Sequence, residues 1–229
     1  MPATPLTPPT STTPRSSATT RPQIGAVVLD LGGVVTRIAR TWHGRARAAG
    51  LQLRDVERCE AALLACWDTL MAMQRGEAST EQLAQKVCAE AGHVHTTDEV
   101  VAALNSQLLG PFPGVLDVVV RLKVPHAIFS NTSADHWQIL LKYDVVRLAK
   151  WRLASFQLGL VKPEPASYAA VESAMGMSGS QLLFFDDSQQ NVDSARASGW
   201  HAERIDPFGD VAAQLETRLL DYDALRDAL

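Results

Sequence analysis

Short runs of uninterrupted apolar residues recur along this chain, and each stops on polar ones. The first is Ile24-Gly25-Ala26-Val27-Val28-Leu29, which stops at Asp30. The second covers residues 124–129 and stops at Ser130-Asn131; the third covers 182–185 and stops at Asp186-Asp187. Runs of this length, rich in β-branched residues and without alternation, predict strands buried on both faces of a parallel sheet. Weaker runs at 152–155 and 201–205 predict two more strands. Helical periodicity fills the gaps at 133–141, 166–175 and 189–198, and Gly199 is placed to stop the last of these. Strands alternating with helices define an α/β domain with a parallel sheet and helices on both faces.

The stretch from Val35 to Pro111 is different. It shows no strand pattern and reads as several helices. Leu63, Trp67, Leu70 and Met71 fall at i, i+4, i+7 and i+8 and predict one face of a single helix. Ser79 with Gln82 predicts a capping box at the start of another. Pro111-Phe112-Pro113-Gly114 then marks the return to the sheet. The expected organisation is an α/β domain over residues 23–36 and 112–229, with an all-helical domain over 37–111. Residues 1–22, dominated by Pro, Thr and Ser, cannot repay the entropy of ordering and are expected to be a disordered tail.

Composition narrows the function. With 21 Lys and Arg against 25 Asp and Glu among 229 residues, the formal charge is −4, and no basic block stands out. Nucleic acid and anionic membrane are therefore not expected partners. No apolar stretch approaches the roughly 18–20 residues that span a bilayer. Cys59, Cys66 and Cys88 form no CxxC pair and are expected as reduced thiols in a cytoplasmic protein.

The polar strand ends carry the chemistry. Ligands of open parallel sheets bind beyond the carboxyl ends of the strands, so Asp30, Ser130-Asn131 and Asp186-Asp187 should face one crevice. Lys162, in the loop Gly159-Leu160-Val161-Lys162-Pro163-Glu164, adds a cation. Close carboxylates repel unless a cation sits among them, and Mg²⁺ is held by one or two carboxylates plus phosphate oxygens. A hydroxyl, backbone N–H groups and a lysine are donors for a phosphoryl group. A carboxylate facing phosphorus can attack it. The set suits phosphoryl transfer on a small phosphorylated molecule.

In this order the residues resemble the haloacid dehalogenase-like hydrolase superfamily, in its members with a helical cap inserted after the first strand of a Rossmann-like sheet. Leu29-Asp30-Leu31-Gly32-Gly33-Val34-Val35 resembles the first motif, Phe129-Ser130-Asn131-Thr132 the second, and Gly159 to Pro163 the third. Phe185-Asp186-Asp187-Ser188, with Asn191, Ala195 and Gly199, resembles the fourth. Arg75-Gly76-Glu77 is similar to a stretch common in such caps. The resemblance implies that Asp30 is the nucleophile and a Mg²⁺ ligand, together with Asp187 and the backbone carbonyl of Gly32. It implies that Ser130, Asn131 and Lys162 bind the phosphoryl group. Asp186 and Asn191 are implied as supporting groups, Asn191 orienting Lys162. A monomer or homodimer is expected.

One position departs from the pattern. Most phosphatases of the family have a second Asp two residues after the nucleophile, acting as general acid and base; this chain has Gly32. The departure motivates a second reading, a weakly active or inactive phospho-ligand binding protein. A third, a 2-haloacid dehalogenase, is opposed by the acidic pair Asp186-Asp187, which the family's dehalogenases lack. Other signals weigh less. His93 and His95 are expected as solvated loop residues, and His136 and Trp137 as helix positions on the surface or near substrate. Trp67, Met71 and Met73 are expected as core, and His43 and Arg45 stand where a cap often meets substrate.

Overall fold

The computed structural model describes residues 22–227; the tail expected over 1–22 lies, apart from Pro22, outside the described residues. Five strands form one parallel sheet: β1 (Ala26–Leu29), β4 (His126–Ser130), β5 (Trp151–Ala154), β6 (Leu182–Asp186) and β7 (His201–Arg204), in the order β5-β4-β1-β6-β7. Each strand predicted from the apolar runs is present. Every residue of β1, β4 and β6 is buried, because both sheet faces are covered. Val27, Leu29, Ile128, Leu183 and Phe185 point to one face. There they meet α6 (Val115–Val120), α7 (Ala134–Leu140), α8 (Asp144–Leu148) and α12 (Val211–Asp221). Ala26, Val28, Ala127, Phe129, Leu182 and Phe184 point to the other. That face is covered by α10 (Pro165–Met175) and α11 (Gln189–Ala197), where Phe129, Tyr168, Phe184 and Trp200 stack edge to face or tilted. The strand period of two thus sorts one continuous apolar run into two cores. A short helix, α9 (Ser155–Leu158), follows β5, and Gly199 ends the α11 turn at φ +84°.

Between β1 and α6 lie β2 (Thr36–Ile38), α1 (Trp42–Ala48), α2 (Val56–Ala65), α3 (Trp67–Gln74), α4 (Thr80–Glu90), α5 (Thr97–Asn105) and β3 (Leu108–Pro111). The five helices share a hydrophobic cluster of their own, built on Trp42, Leu63, Leu83, Val87, Val100 and Leu104. Ser79 and Gln82 form the predicted capping box at the start of α4.

Three expectations are corrected here. The insert is not strandless: β2 and β3 pair antiparallel, with Thr36 opposite Pro111 and Ile38 opposite Leu108. At three and four residues they are too short to show alternation, and their ladder closes across about 70 intervening residues. The helix predicted through Leu63 and Met71 is two helices, because the chain bends at Cys66 (φ −89°, ψ 19°); Leu63 is buried while Trp67 is 54% exposed. His95 is buried rather than solvated, with its Nδ1 near Arg54 and Glu99. The three cysteines are free and buried. Among the described residues no helix is long and apolar enough to cross a membrane.

Buried histidines make the fold sensitive to acid. Burial pushes the His126 imidazole below its ordinary pKa, partly opposed by its Nε2–H donating to the Val145 carbonyl (2.8 Å). A depressed folded pKa contributes stability that is complete above the unfolded value of about 6.5 and is lost as pH falls through the folded value. His126→Gln should therefore gain stability relative to the wild type as pH drops below about 6.5. Urea unfolding of both proteins at pH 7.5 and pH 5.5 measures this; a difference that stays constant with pH would contradict it.

Candidate active site

The site forms where β1, β4 and β6 end. Asp30 follows β1, and its N–H still donates to the Phe185 carbonyl (2.9 Å), so the sheet ladder fixes its backbone. Ser130 closes β4 and Asp186 closes β6. Lys162 enters from the loop before α10, and its ammonium is 3% exposed at the residue level. Its Nζ donates to Asp30 Oδ1 (2.7 Å), Asp186 Oδ2 (2.7 Å) and the Phe129 carbonyl (3.0 Å). All three ammonium protons are thereby used. Burial alone would lower the lysine's pKa, but Asp186 and Asp30 override it, and the pKa ends above its ordinary value.

The supporting groups act differently from what the motif resemblance implies. Asn131 does not turn its amide to the open cleft. Its Nδ2 donates to the Lys162 carbonyl (2.8 Å) and its Oδ1 accepts from the Lys162 N–H (2.9 Å), clamping the backbone of that residue. Asn191 does not touch Lys162. Its Nδ2 donates to both oxygens of Asp186 (3.0 and 3.1 Å), which also accepts from the Ser188 N–H (2.9 Å). Asn191 therefore orients the carboxylate that in turn holds the lysine. The Ser130 hydroxyl has no hydrogen-bond partner among the described residues and borders the cleft.

Asp30, Asp186 and Asp187 bring carboxylate oxygens within 4.8 Å of one another. Burial pushes the Asp30 carboxyl up to about 7; Lys162 opposes this, while Asp186 and Asp187 add to it. Asp187 is raised as well, by burial first, against an opposing ion pair with Arg40. Three carboxylates face two cations, and the Arg40 side chain is 43% exposed, so its compensation is screened. Negative charge is left over at the position where Asp30 and Asp187 converge. Gly33, at φ +86°, makes the approach feasible, since a Cβ there would lie 2.6 Å from Asp187 Cγ. Hard oxygen donors with surplus negative charge fit Mg²⁺.

A cavity of about 200 Å³ opens beside these groups, between the sheet and the insert. Gly32, Ser130 and Asn131 line its inner end, and Arg45, Met73 and His136 line it from α1, α3 and α7. His136 is buried, not a surface position. Its Nε2–H donates to the Leu104 carbonyl (3.0 Å) and its Nδ1 accepts from Gln107 Nε2 (3.1 Å). Both ring nitrogens are committed, and burial pushes its pKa down. Among the described residues no Asp or Glu lines the cavity, so no carboxyl there replaces the proton donor that Gly32 lacks. Arg40, Ser155 and Thr36 were not singled out by sequence. Ser155, fully buried, accepts from the Thr132 N–H (3.0 Å) and donates to the Gln74 carbonyl (2.6 Å), tying the second motif to the insert. Its only advance signal was its place just after the fourth predicted strand.

A five-stranded parallel sheet of this order, with helices on both faces and an acidic, lysine-bridged pocket at its carboxyl edge, defines a Rossmann-like α/β protein with its candidate site at the strand ends. The chain belongs to the haloacid dehalogenase-like hydrolase family, whose model matches residues 24–199. It is 25% identical over 218 residues to Phosphatase MT3486 of Mycobacterium tuberculosis, covering 89% of this chain and 97% of that protein. Its fold is similar to HAD family enzyme bt-2542 of Bacteroides thetaiotaomicron in complex with magnesium and inorganic phosphate, with a TM-score of 0.65 at 20% identity over 83% of this chain and 98% of the other. It is similar also to L-2-haloacid dehalogenase of Xanthobacter autotrophicus, with a TM-score of 0.61 at 19% identity over 90% of each chain.

The two adjacent aspartates should separate in a stability measurement. Asp186→Ala removes a fully buried partner of Lys162 and should cost about 3–5 kcal/mol. Asp187→Ala removes a carboxylate whose ionised form the fold disfavours, so the metal-free protein should stay within about 1 kcal/mol of wild type. Urea unfolding in EDTA at pH 7 decides; equal losses would mean that Asp186 does not anchor the lysine.

Proposed function

We propose that this hydrolase is a Mg²⁺-dependent phosphomonoesterase that works through an aspartyl-phosphate on Asp30. The observation that carries the reading is the Lys162 bridge. It holds Asp30 by Oδ1 alone and leaves Oδ2, on a backbone fixed by the sheet, without a partner among the described residues. The likeness to a phosphatase along nearly the full length of both chains supports it, as does a fold shared with an enzyme that binds magnesium and phosphate.

Asp30, Asp187 and the Gly32 carbonyl would hold the ion. When bound, Mg²⁺ neutralises phosphoryl oxygen charge and keeps Asp30 ionised despite its raised pKa. The Ser130 hydroxyl and the N–H groups after β4 receive the phosphoryl oxygens, while the Lys162 ammonium, its three protons spent on Asp30, Asp186 and the Phe129 carbonyl, supplies positive charge beside them. The Asp30 carboxylate attacks phosphorus, the bond to the leaving oxygen breaks, and the alkoxide takes a proton. Water then hydrolyses the acyl phosphate, releasing inorganic phosphate and regenerating Asp30. Residues 37–111 act as a cap over this site, on a core made of 23–36 and 112–229, and their cavity walls set the size of the leaving group.

Asp30→Asn should abolish turnover of phosphomonoesters while the far-UV circular dichroism stays that of wild type, and EDTA should abolish wild-type turnover reversibly. Activity in a folded Asp30→Asn protein, or activity that survives EDTA, overturns the proposal.

The missing proton donor has a kinetic signature. A placed general acid typically contributes about 10²–10⁴-fold, and neither Gly32 nor the cavity wall supplies one. Rate should fall steeply as leaving-group pKa rises, so that aryl, acyl and anomeric phosphates outrun simple alkyl phosphates. A Cβ on Gly32 would point 4.0 Å from Asp30 Oδ2 and 3.2 Å from the movable tip of Ile38, so Gly32→Asp should restore rate on alkyl phosphates. A leaving-group series of kcat/KM at saturating Mg²⁺ measures both; a flat series, with transfer to Asp30 rate-limiting, would reveal an acid elsewhere.

A further inference from the structure

The cleft holds a positive charge that the chemistry at Asp30 does not use. Arg45 reaches the cavity from α1, half-buried, and its Nε donates to the Ala39 carbonyl (3.2 Å), which fixes the guanidinium plane. Its two terminal amino groups make no hydrogen bond or ion pair among the described residues. Burial works against this cation, and Glu60 offsets the effect only in part. A half-buried guanidinium with four unused donors facing a cavity is placed to receive an anionic ligand group.

Two further side chains on the same cavity wall are in the same condition. Thr36 is fully buried and its hydroxyl has no partner; Gln74 has a buried Oε1 with none. His136 supplies no charge, since both its nitrogens are spent. Arg45 is therefore the one cation of the lining among the described residues, and Lys162 is not part of that lining. The cavity, about 200 Å³, holds the volume of about seven waters and is smaller than the roughly 300–1,000 Å³ of sites for drug-sized ligands. That size suits a leaving group of a few carbons.

We propose that the Arg45 end of this cleft is a subsite for a carboxylate on the leaving group, so that the substrate is a small phosphorylated hydroxy acid. The planar guanidinium fork matches a carboxylate through two parallel hydrogen bonds, and a carboxylate is the smaller of the anions that this space can take. This assignment rests on the phosphomonoesterase reading, and binding separates the two.

The test uses Asp30→Asn protein with Mg²⁺ and two probes of one carbon skeleton, 3-phosphoglycerate and glycerol 3-phosphate, which differ in carboxylate against hydroxymethyl. Calorimetry should give a Kd about ten-fold or more lower for the carboxylate, the scale of a charge-assisted pair. Adding Arg45→Gln should bring the ratio of the two Kd values to about one, and Arg45→Lys should keep part of it. Circular dichroism checks that each variant is folded. Equal Kd values in the Arg45 protein, or no binding of either probe, overturn the subsite. Preferential binding of the carboxylate without turnover in the wild type would support the subsite and sink the phosphomonoesterase reading alone.

Discussion

A buried ammonium shared by two carboxylates is the constraint on which the rest of this site depends. Lys162 cannot stay charged in the interior without Asp30 and Asp186, and neither carboxylate could lie so close to the other without Lys162. Breaking a buried pair from one side leaves an uncompensated charge, so the three residues stand or fall together. Each therefore needs support. Asn131 grips the lysine's backbone, Asn191 and the Ser188 N–H grip Asp186, and the sheet ladder grips Asp30. The Tyr168 hydroxyl donates to the Asn191 carbonyl (2.8 Å), which carries the same chain of bonds into the aromatic core. The faces of Phe129 and Phe184, each 5.1 Å from Nζ, complete the lysine's surroundings.

The fold serves this arrangement by making the strands straight-through and buried. Because β1 lies between β4 and β6, the three strand ends that carry chemistry are adjacent, and none is at an edge where fraying would blur its position. The helical insert is attached where the chain leaves β1, so the cavity wall it supplies starts only a few residues from Asp30.

Much of this was legible in the amino-acid order. Parallel strands buried on both sides are uniformly apolar, so β1, β4 and β6 announce themselves, and their polar ends mark the crevice. What could not be read depends on contacts between distant segments. The β2–β3 pair is too short for any periodic signal. The break at Cys66 is a single non-helical residue inside a helix-spaced pattern, and periodicity alone carries Leu63 and Met71 across it. Asn131 and Asn191 look like generic polar neighbours of a phosphate site; only their partners show that one holds a main chain and the other a carboxylate. Arg40 belongs to no motif, and only the fold shows that it faces Asp187.

Besides the His136 bonds to Leu104 and Gln107 and the Arg40–Asp187 pair, the insert is fastened at two places. One is the β2–β3 ribbon. The other is the end of α3, where Gln74 accepts from Ser155, Gly76 at φ +78° lies against the Phe156 carbonyl, and Arg75 pairs with Glu164. Glu164 stands two residues after Lys162. The seam between insert and core is thereby tied to the loop that carries the lysine. A displacement of α3 against the core would reach the ammonium that holds Asp30 through two peptide units.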